Sequence, residues 1–179
     1  MSSWFTNEDK KYLSEAIGDY STIIIDPIGE TMEKLIKSET INGAKYRQNG
    51  GDLTMAGWGK VKDEMRSIIK WLKTLNKNIV IVAHVDEKNS DDSIVKRPLI
   101  ATKIGDELIA LVDVVGYLDI VTVEGEQKRV LRVNPDDGKY IAKDRTGTLP
   151  PFVKPEYNYI LGITNPKPET KKASVTKKA

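Results

Sequence analysis

Two polar residues stand at the ends of apolar runs and are the first candidates for chemistry. Asp26 ends the run from Thr22 to Asp26, and His84 ends the run from Ile79 to His84. Apolar runs without alternation are typical of strands in parallel sheets that helices cover on both faces. Ligands bind at the carboxyl edge of such sheets. The pattern therefore predicts two adjacent inner strands with Asp26 and His84 at the same edge.

A carboxylate at the end of such a strand can orient the Mg²⁺ ion that accompanies nucleotide phosphates. The alternative for Asp26 is a residue that closes the strand and caps the next turn. The alternative for His84 is a hydrogen-bonded histidine without a chemical role.

A third candidate is the pair Lys143 and Arg145, which flank Asp144 before a glycine turn. Side chains two apart on a strand share a face, so the two cations would project together. That geometry suits phosphate, and arginine offers a planar bidentate fork. The alternative is a solvated pair at a hairpin edge, where lysine also discourages unwanted strand pairing.

The elements that would position these residues follow from local patterns. Helical periodicity predicts helices at residues 7–17, 28–36, 58–75 and 104–112. Long loops are expected at 38–59 and 86–103, and further strands at 113–121, 128–133 and 140–143, with turns at Gly125 and at 136–138. Strands alternating with helices predict an α/β fold with a mainly parallel sheet, flanked by helices, and an antiparallel meander at its edge.

Composition narrows the class of protein. The 179 residues fit one domain of ordinary size, and the net charge of +2 does not by itself argue for nucleic acid. No run approaches a membrane span, no secretory signal begins the chain, and cysteine is absent, so a cytoplasmic location is expected. The basic, Pro-rich segment 165–179 is expected to be disordered.

The order of these features closely resembles that of the RecA-like P-loop ATPases of bacteriophages, a family of phage nucleotide-binding proteins that includes single-strand annealing and recombination factors. The resemblance extends over most of residues 21–150. It rests on Asp26, Gly57-Trp58-Gly59-Lys60, His84, Lys96-Arg97-Pro98, Asp113-Val114-Val115-Gly116-Tyr117 and Lys143-Asp144-Arg145.

The resemblance implies a RecA-like core over residues 1–164, with ATP and Mg²⁺ as cofactors. Asp26 matches the Walker B aspartate that binds magnesium, and His84 matches the polar sensor of the γ-phosphate. Lys143 and Arg145 resemble a pair that related motors insert into a neighbouring subunit's site.

The resemblance also implies partners. The loop from Asp86 to Lys103 takes the place of a DNA-facing loop, with Lys96, Arg97 and Lys103 as candidates for binding single-stranded DNA. A homo-oligomer or a P-loop-bearing partner subunit is expected. For a phage protein the location would be the cytoplasm of the bacterial host.

One feature of the family is missing, because no GxxxxGK[ST] occurs in the sequence. In the family that phosphate-binding loop precedes the Walker B strand, so the chain resembles a truncated core without its first strand, P-loop and following helix. Without the loop's amides and lysine, weak ATP binding is expected. The truncated sheet would expose an apolar face and an open edge, which a partner should cover.

Three interpretations follow from the sequence. The chain is part of a phage recombination ATPase, or a non-enzymatic module that binds single-stranded DNA or serves an oligomeric partner, or an unrelated small α/β domain resembling a hydrolase.

Overall fold

The computed structural model describes residues 3–90, 93–135 and 139–164. The chain divides into two compact units, Met1–Val112 and Asp113–Ala179. The RecA-like core expected over residues 1–164 spans the whole first unit and residues 113–164 of the second. The expected disordered tail lies outside the described residues. Among the helices that are described, none has the length and apolar character needed to cross a membrane.

The first unit contains four helices among its described residues, and they begin and end largely where the sequence predicts. The predictions for 7–17 and 28–36 are confirmed to the residue. The first helix starts with a capping box between Thr6 and Asp9 and ends at Gly18, whose φ is +48°. The elements are α1 (Asn7–Ile17), β1 (Thr22–Ile25), α2 (Ile28–Ile36), a 3-10 turn (Glu39–Ile41), α3 (Met55–Thr74), β2 (Asn78–Ile81), β3 (Val85–Ser90), β4 (Ser93–Pro98) and α4 (Thr102–Leu111).

The core of the first unit lies on one face of a parallel pair. β1 and β2 pair in parallel from Thr22↔Asn78 to Ile25↔Ile81. Their alternate residues pack against a cluster built from α2, α3 and α4. Ile24 points to the other face and is 65% exposed. The prediction that β1 is buried on both faces is therefore wrong, because the described helices cover only one face.

The prediction of a mainly parallel sheet also needs correction. Within the described residues, β1–β2 is a two-stranded sheet, and the other three sheets contain antiparallel pairs. The fold is mixed α/β with small sheets. The predicted loop at 86–103 is wrong in its first part, since β3 and β4 form an antiparallel hairpin from Val85↔Pro98 to Ser90↔Ser93. Backbone hydrogen bonds pair the two strands, although the segment shows no alternation of apolar and polar residues.

The second unit contains two small antiparallel sheets, β6-β7-β9 and β5-β8. The predicted turn at Gly125 joins β6 to β7, whereas the predicted turn at 136–138 lies outside the described residues. The strand predicted at 140–143 is shorter and pairs with β5 instead of continuing the meander, and α5 was not predicted. The elements are β5 (Val114–Val115), β6 (Tyr117–Val123), β7 (Glu126–Arg132), β8 (Lys143–Asp144), β9 (Phe152–Val153) and α5 (Tyr157–Thr164).

A buried carboxylate on α3 accepts a hydrogen bond from a residue near the start of the chain. Glu64 is 4% exposed. It accepts hydrogen bonds from Lys60 Nζ at 2.6 Å and from Ser3 Oγ at 2.9 Å. Burial by itself raises the pKa of Glu64, but the hydrogen bonds from Lys60 and Ser3 outweigh burial, so its pKa lies below the ordinary value.

This shift predicts a loss of stability in acid. Because the folded-state pKa is lowered, the stabilisation from Glu64 is complete above the unfolded value of about 4.3 and is lost as pH falls through the folded value. The free energy of unfolding, measured with urea at pH 7 and in acid, should fall less between the two conditions for Glu64→Gln than for the wild type. The control is Glu33→Gln, because Glu33 forms an exposed pair with Lys37 at 3.4 Å. Equal acid sensitivity of the wild type and Glu64→Gln would contradict the assignment.

Candidate nucleotide site

The backbone at the carboxyl ends of β1 and β2 fixes the position of Asp26. The N–H of Val82 donates to the carbonyl oxygen of Ile25 at 2.8 Å, and the N–H of Ile28 donates to that of Val82 at 2.9 Å. Val82 is thus hydrogen-bonded to the backbone on both sides of Asp26, to Ile25 before it and to Ile28 after it. His84 follows two residues later along the chain.

Because β1 and β2 are parallel, both end at the edge where Asp26 follows β1 directly. The prediction that His84 ends the second strand needs correction, since β2 ends at Ile81 and His84 lies three residues beyond it. The prediction of inner strands needs correction too, since the sheet has only these two strands among the described residues.

Both side chains at this edge are exposed, and neither has a hydrogen bond or ion pair with any other residue that the structure describes. No side chain caps α2, whose N-cap residue is Pro27. The alternative in which Asp26 caps the following turn therefore receives no support. The alternative for His84, a hydrogen-bonded histidine, receives none either.

A cleft of about 600 Å³ opens beside His84. One wall is α2 and the other is the segment that follows β4. Its volume lies within the usual range for small-molecule sites. Two lysines that the sequence analysis did not single out also line the cleft, Lys34 on α2 and Lys37 just after it. The lining residues are Pro27, Gly29, Glu30, Met32, Glu33, Lys34, Lys37, His84, Leu99, Ile100 and Ala101.

The residues at this edge fit one part of a magnesium–nucleotide complex. Mg²⁺ is usually held by one or two carboxylates together with waters and substrate phosphates, and Asp26 can supply one carboxylate. The described residues contain no group of three or more His, Cys, Asp or Glu that could hold a metal ion. A magnesium ion at this edge would therefore need phosphates and waters for most of its coordination positions.

The predicted cation pair belongs to the second unit. Lys143 lies on β8 opposite Val115. Arg145 is bound to Asp113 twice, since its N–H donates to the Asp113 carbonyl at 2.9 Å and its Nη1 lies 3.3 Å from Asp113 Oδ1. Both side chains of this ion pair are more than half exposed. The sequence analysis missed Asp113 as the residue that orients Arg145.

The three candidate DNA-binding cations have different surroundings. Lys103 is exposed on α4 and Lys96 is half-buried on β4. The side chain of Arg97 is 8% exposed, and its Nη2 lies 3.3 Å from Asp106 Oδ1. The expectation that Arg97 lies on a DNA-facing loop thus needs correction, because this guanidinium joins β4 to α4 inside the unit.

Comparison with known proteins places the chain in a family. The family model described as AAA domain matches residues 5–146. No curated protein and no solved structure is significantly similar to the chain. The match covers the first unit from residue 5 and residues 113–146 of the second unit, so it includes both Lys143 and Arg145. It rules out the interpretation of the chain as an unrelated hydrolase-like domain. The chain therefore belongs to the AAA domain family, which is part of the P-loop ATPase superfamily.

Proposed function

We propose that this chain supplies the Walker B part of a phage RecA-like ATPase that acts in DNA recombination or single-strand annealing. A P-loop-bearing chain would complete its nucleotide site. The observation that carries this proposal is the parallel register of β1 and β2, which brings Asp26 and His84 to one edge. The family match supports the use of a nucleotide and Mg²⁺ in general.

Each residue at the edge has a distinct part in this proposal. The Asp26 carboxylate would take one coordination position of Mg²⁺. The imidazole of His84, at the mouth of the cleft, would hydrogen-bond a phosphate oxygen and so distinguish a triphosphate from a diphosphate. When bound, Mg²⁺ neutralises charge that develops on the phosphates. Arg145 would act in the site of a neighbouring subunit, and its exposed side chain is compatible with that part.

The second candidate is a non-enzymatic module that binds single-stranded DNA. The exposed Lys103 and the β3–β4 hairpin favour it. In this case, mutation of Lys103 would weaken DNA binding and reduce its salt dependence, since phosphate contacts release counterions. ATP hydrolysis would not depend on Asp26.

Calorimetry with ATP and Mg²⁺ tests the nucleotide site. The chain alone should bind with a Kd no tighter than about 1 mM, because Asp26 without a phosphate cradle gives little affinity. A mixture with a P-loop-bearing partner chain should bind and hydrolyse ATP, and Asp26→Asn should abolish the magnesium-dependent hydrolysis. Asp52→Asn, in the loop before α3, is the matched control.

Two outcomes of this experiment would contradict the proposal. One is micromolar binding by the chain alone that Asp26→Asn removes, which would show that no partner is needed. The other is full hydrolysis by a mixture that contains Asp26→Asn.

A further inference from the structure

The outer edge of β6 is unprotected. β6 is an end strand of the sheet β6-β7-β9, so one of its edges pairs with no strand that the structure describes. Its pairing with β7 runs without a bulge from Tyr117↔Arg132 to Val123↔Glu126. The seven residues include no Pro, Gly or Lys. Proteins use Pro, bulges and charged side chains, especially Lys, to prevent edge-to-edge pairing. β6 has only one of these features, the charge of Asp119, and Arg132 of β7 neutralises that charge.

Alternate residues of β6 direct their backbone groups to this outer edge. The N–H of Ile120 donates to Oδ1 of the neighbouring Asp119 at 2.9 Å and not to β7. Because bonding direction alternates along an antiparallel strand, the N–H and C=O groups of Leu118 and Thr122 point outward as well. The side chains of Leu118 and Ile120 share one face and are 55% and 57% exposed.

We propose that β6 pairs with β6 of a second copy of this chain, antiparallel about a two-fold axis at Ile120. In this register Leu118 lies opposite Thr122 of the second copy, and all seven residues of the strand find a partner. Leu118 and Ile120 from both copies form one apolar stripe across the junction. The inference concerns the second unit alone and does not rest on the proposed nucleotide site.

The proposed register opposes no like charges and pairs every residue of β6 with a residue of the same strand in the second copy, so β6 is complementary to itself. The only charged residue of β6 is Asp119, and its Oδ2 already lies 2.7 Å from Arg132 Nε. In the proposed register Asp119 lies opposite Val121 of the second copy. A shift that centres the axis on Asp119 would place two carboxylates directly opposite each other, which is destabilising. The N–H of Ile120 would exchange its Asp119 contact for a carbonyl of the second copy, while Arg132 continues to hold the carboxylate.

Cysteine cross-linking tests the register, because the natural sequence has no cysteine. In Ile120→Cys the two thiols would face each other with Cα atoms about 5.5 Å apart, within disulfide range. In Thr122→Cys the two thiols would lie about 13 Å apart along the strands, beyond that range. Oxidised glutathione serves as the oxidant. Its S–S bond breaks as it accepts two electrons, two glutathione thiols take up the protons that the two cysteines lose, and one new S–S bond forms between the cysteines.

Ile120→Cys is expected to become a covalent dimer on a non-reducing gel, while Thr122→Cys remains monomeric at the same concentration. Equal cross-linking of both variants would mean random collision and would overturn the proposal. Absence of cross-linking in Ile120→Cys would overturn it equally. Circular dichroism matching the wild type shows that each variant is folded.

Sedimentation of the unmodified chain gives an independent measure. The wild type should change from monomer to dimer as its concentration rises, and Ile120→Lys should weaken dimerisation by about tenfold or more, because two lysines would meet at the axis. Gln127→Lys, on the inner strand β7, should dimerise like the wild type. A monomeric wild type at high concentration, or an Ile120→Lys variant that dimerises equally well, would contradict the pairing.

Discussion

Arg145→Ala is expected to lower ATP hydrolysis by a mixture of this chain and a P-loop-bearing partner by about 10³-fold, with little change in nucleotide affinity. An arginine that reaches a neighbouring site stabilises charge that develops mainly in the transition state, so its loss affects the rate more than binding. The ion pair between Arg145 and Asp113 is exposed on both sides. Such pairs contribute little to stability, so Arg145 can exchange Asp113 for a phosphate without a large cost.

The matched control is Arg129→Ala, which removes an exposed cation from β7 of the same unit. It should leave the rate unchanged. Steady-state rates and calorimetric Kd values, measured on the same mixtures, separate hydrolysis from binding. If Arg145→Ala leaves the rate unchanged and weakens single-stranded DNA binding in a salt-dependent way, Arg145 contacts a phosphate backbone. The module that binds DNA would then be the better description.

Gly57→Ala is expected to destabilise the first unit by about 2–4 kcal/mol. A Cβ at Gly57 would overlap the backbone carbonyl oxygen of Tyr46. That oxygen cannot move freely, because it accepts the N–H of Thr54 at 2.9 Å. Thr54 also caps α3 through a hydrogen bond from the Gly57 N–H to its side chain at 3.1 Å. Moving the Tyr46 carbonyl would thus disturb the start of α3 as well.

Gly59→Ala is a close control, because it changes another glycine of the same helix. A Cβ at Gly59 meets no atom within 4 Å. Alanine should therefore leave stability unchanged or raise it by up to about 1 kcal/mol through its higher helix propensity. Urea denaturation followed by circular dichroism measures both variants. Equal stability of Gly57→Ala and Gly59→Ala would show that the contact with Tyr46 does not constrain α3.

Local patterns were enough to predict most helices of the first unit. The bounds of α1 and α2 agree with the structure to the residue, because apolar periodicity and caps depend on neighbours a few positions away. In the structure α3 begins three residues before the predicted start, because Thr54 caps the helix ahead of its apolar periodicity. The common edge of Asp26 and His84 was also predictable, because a strand, a crossover and a parallel strand leave few topologies.

What only the tertiary structure decided depends on contacts between distant residues. Sequence alone determined that β1 is apolar, but the exposure of Ile24 depends on how many layers cover the strand. In the sequence, Arg97 is one cation among several. Its burial depends on its pairing with Asp106 of α4. The sequence offered no apolar alternation at 85–98, where pairing between the two strands themselves builds a hairpin. Burial and strand pairing are properties of an assembled fold, and composition within one segment does not specify them.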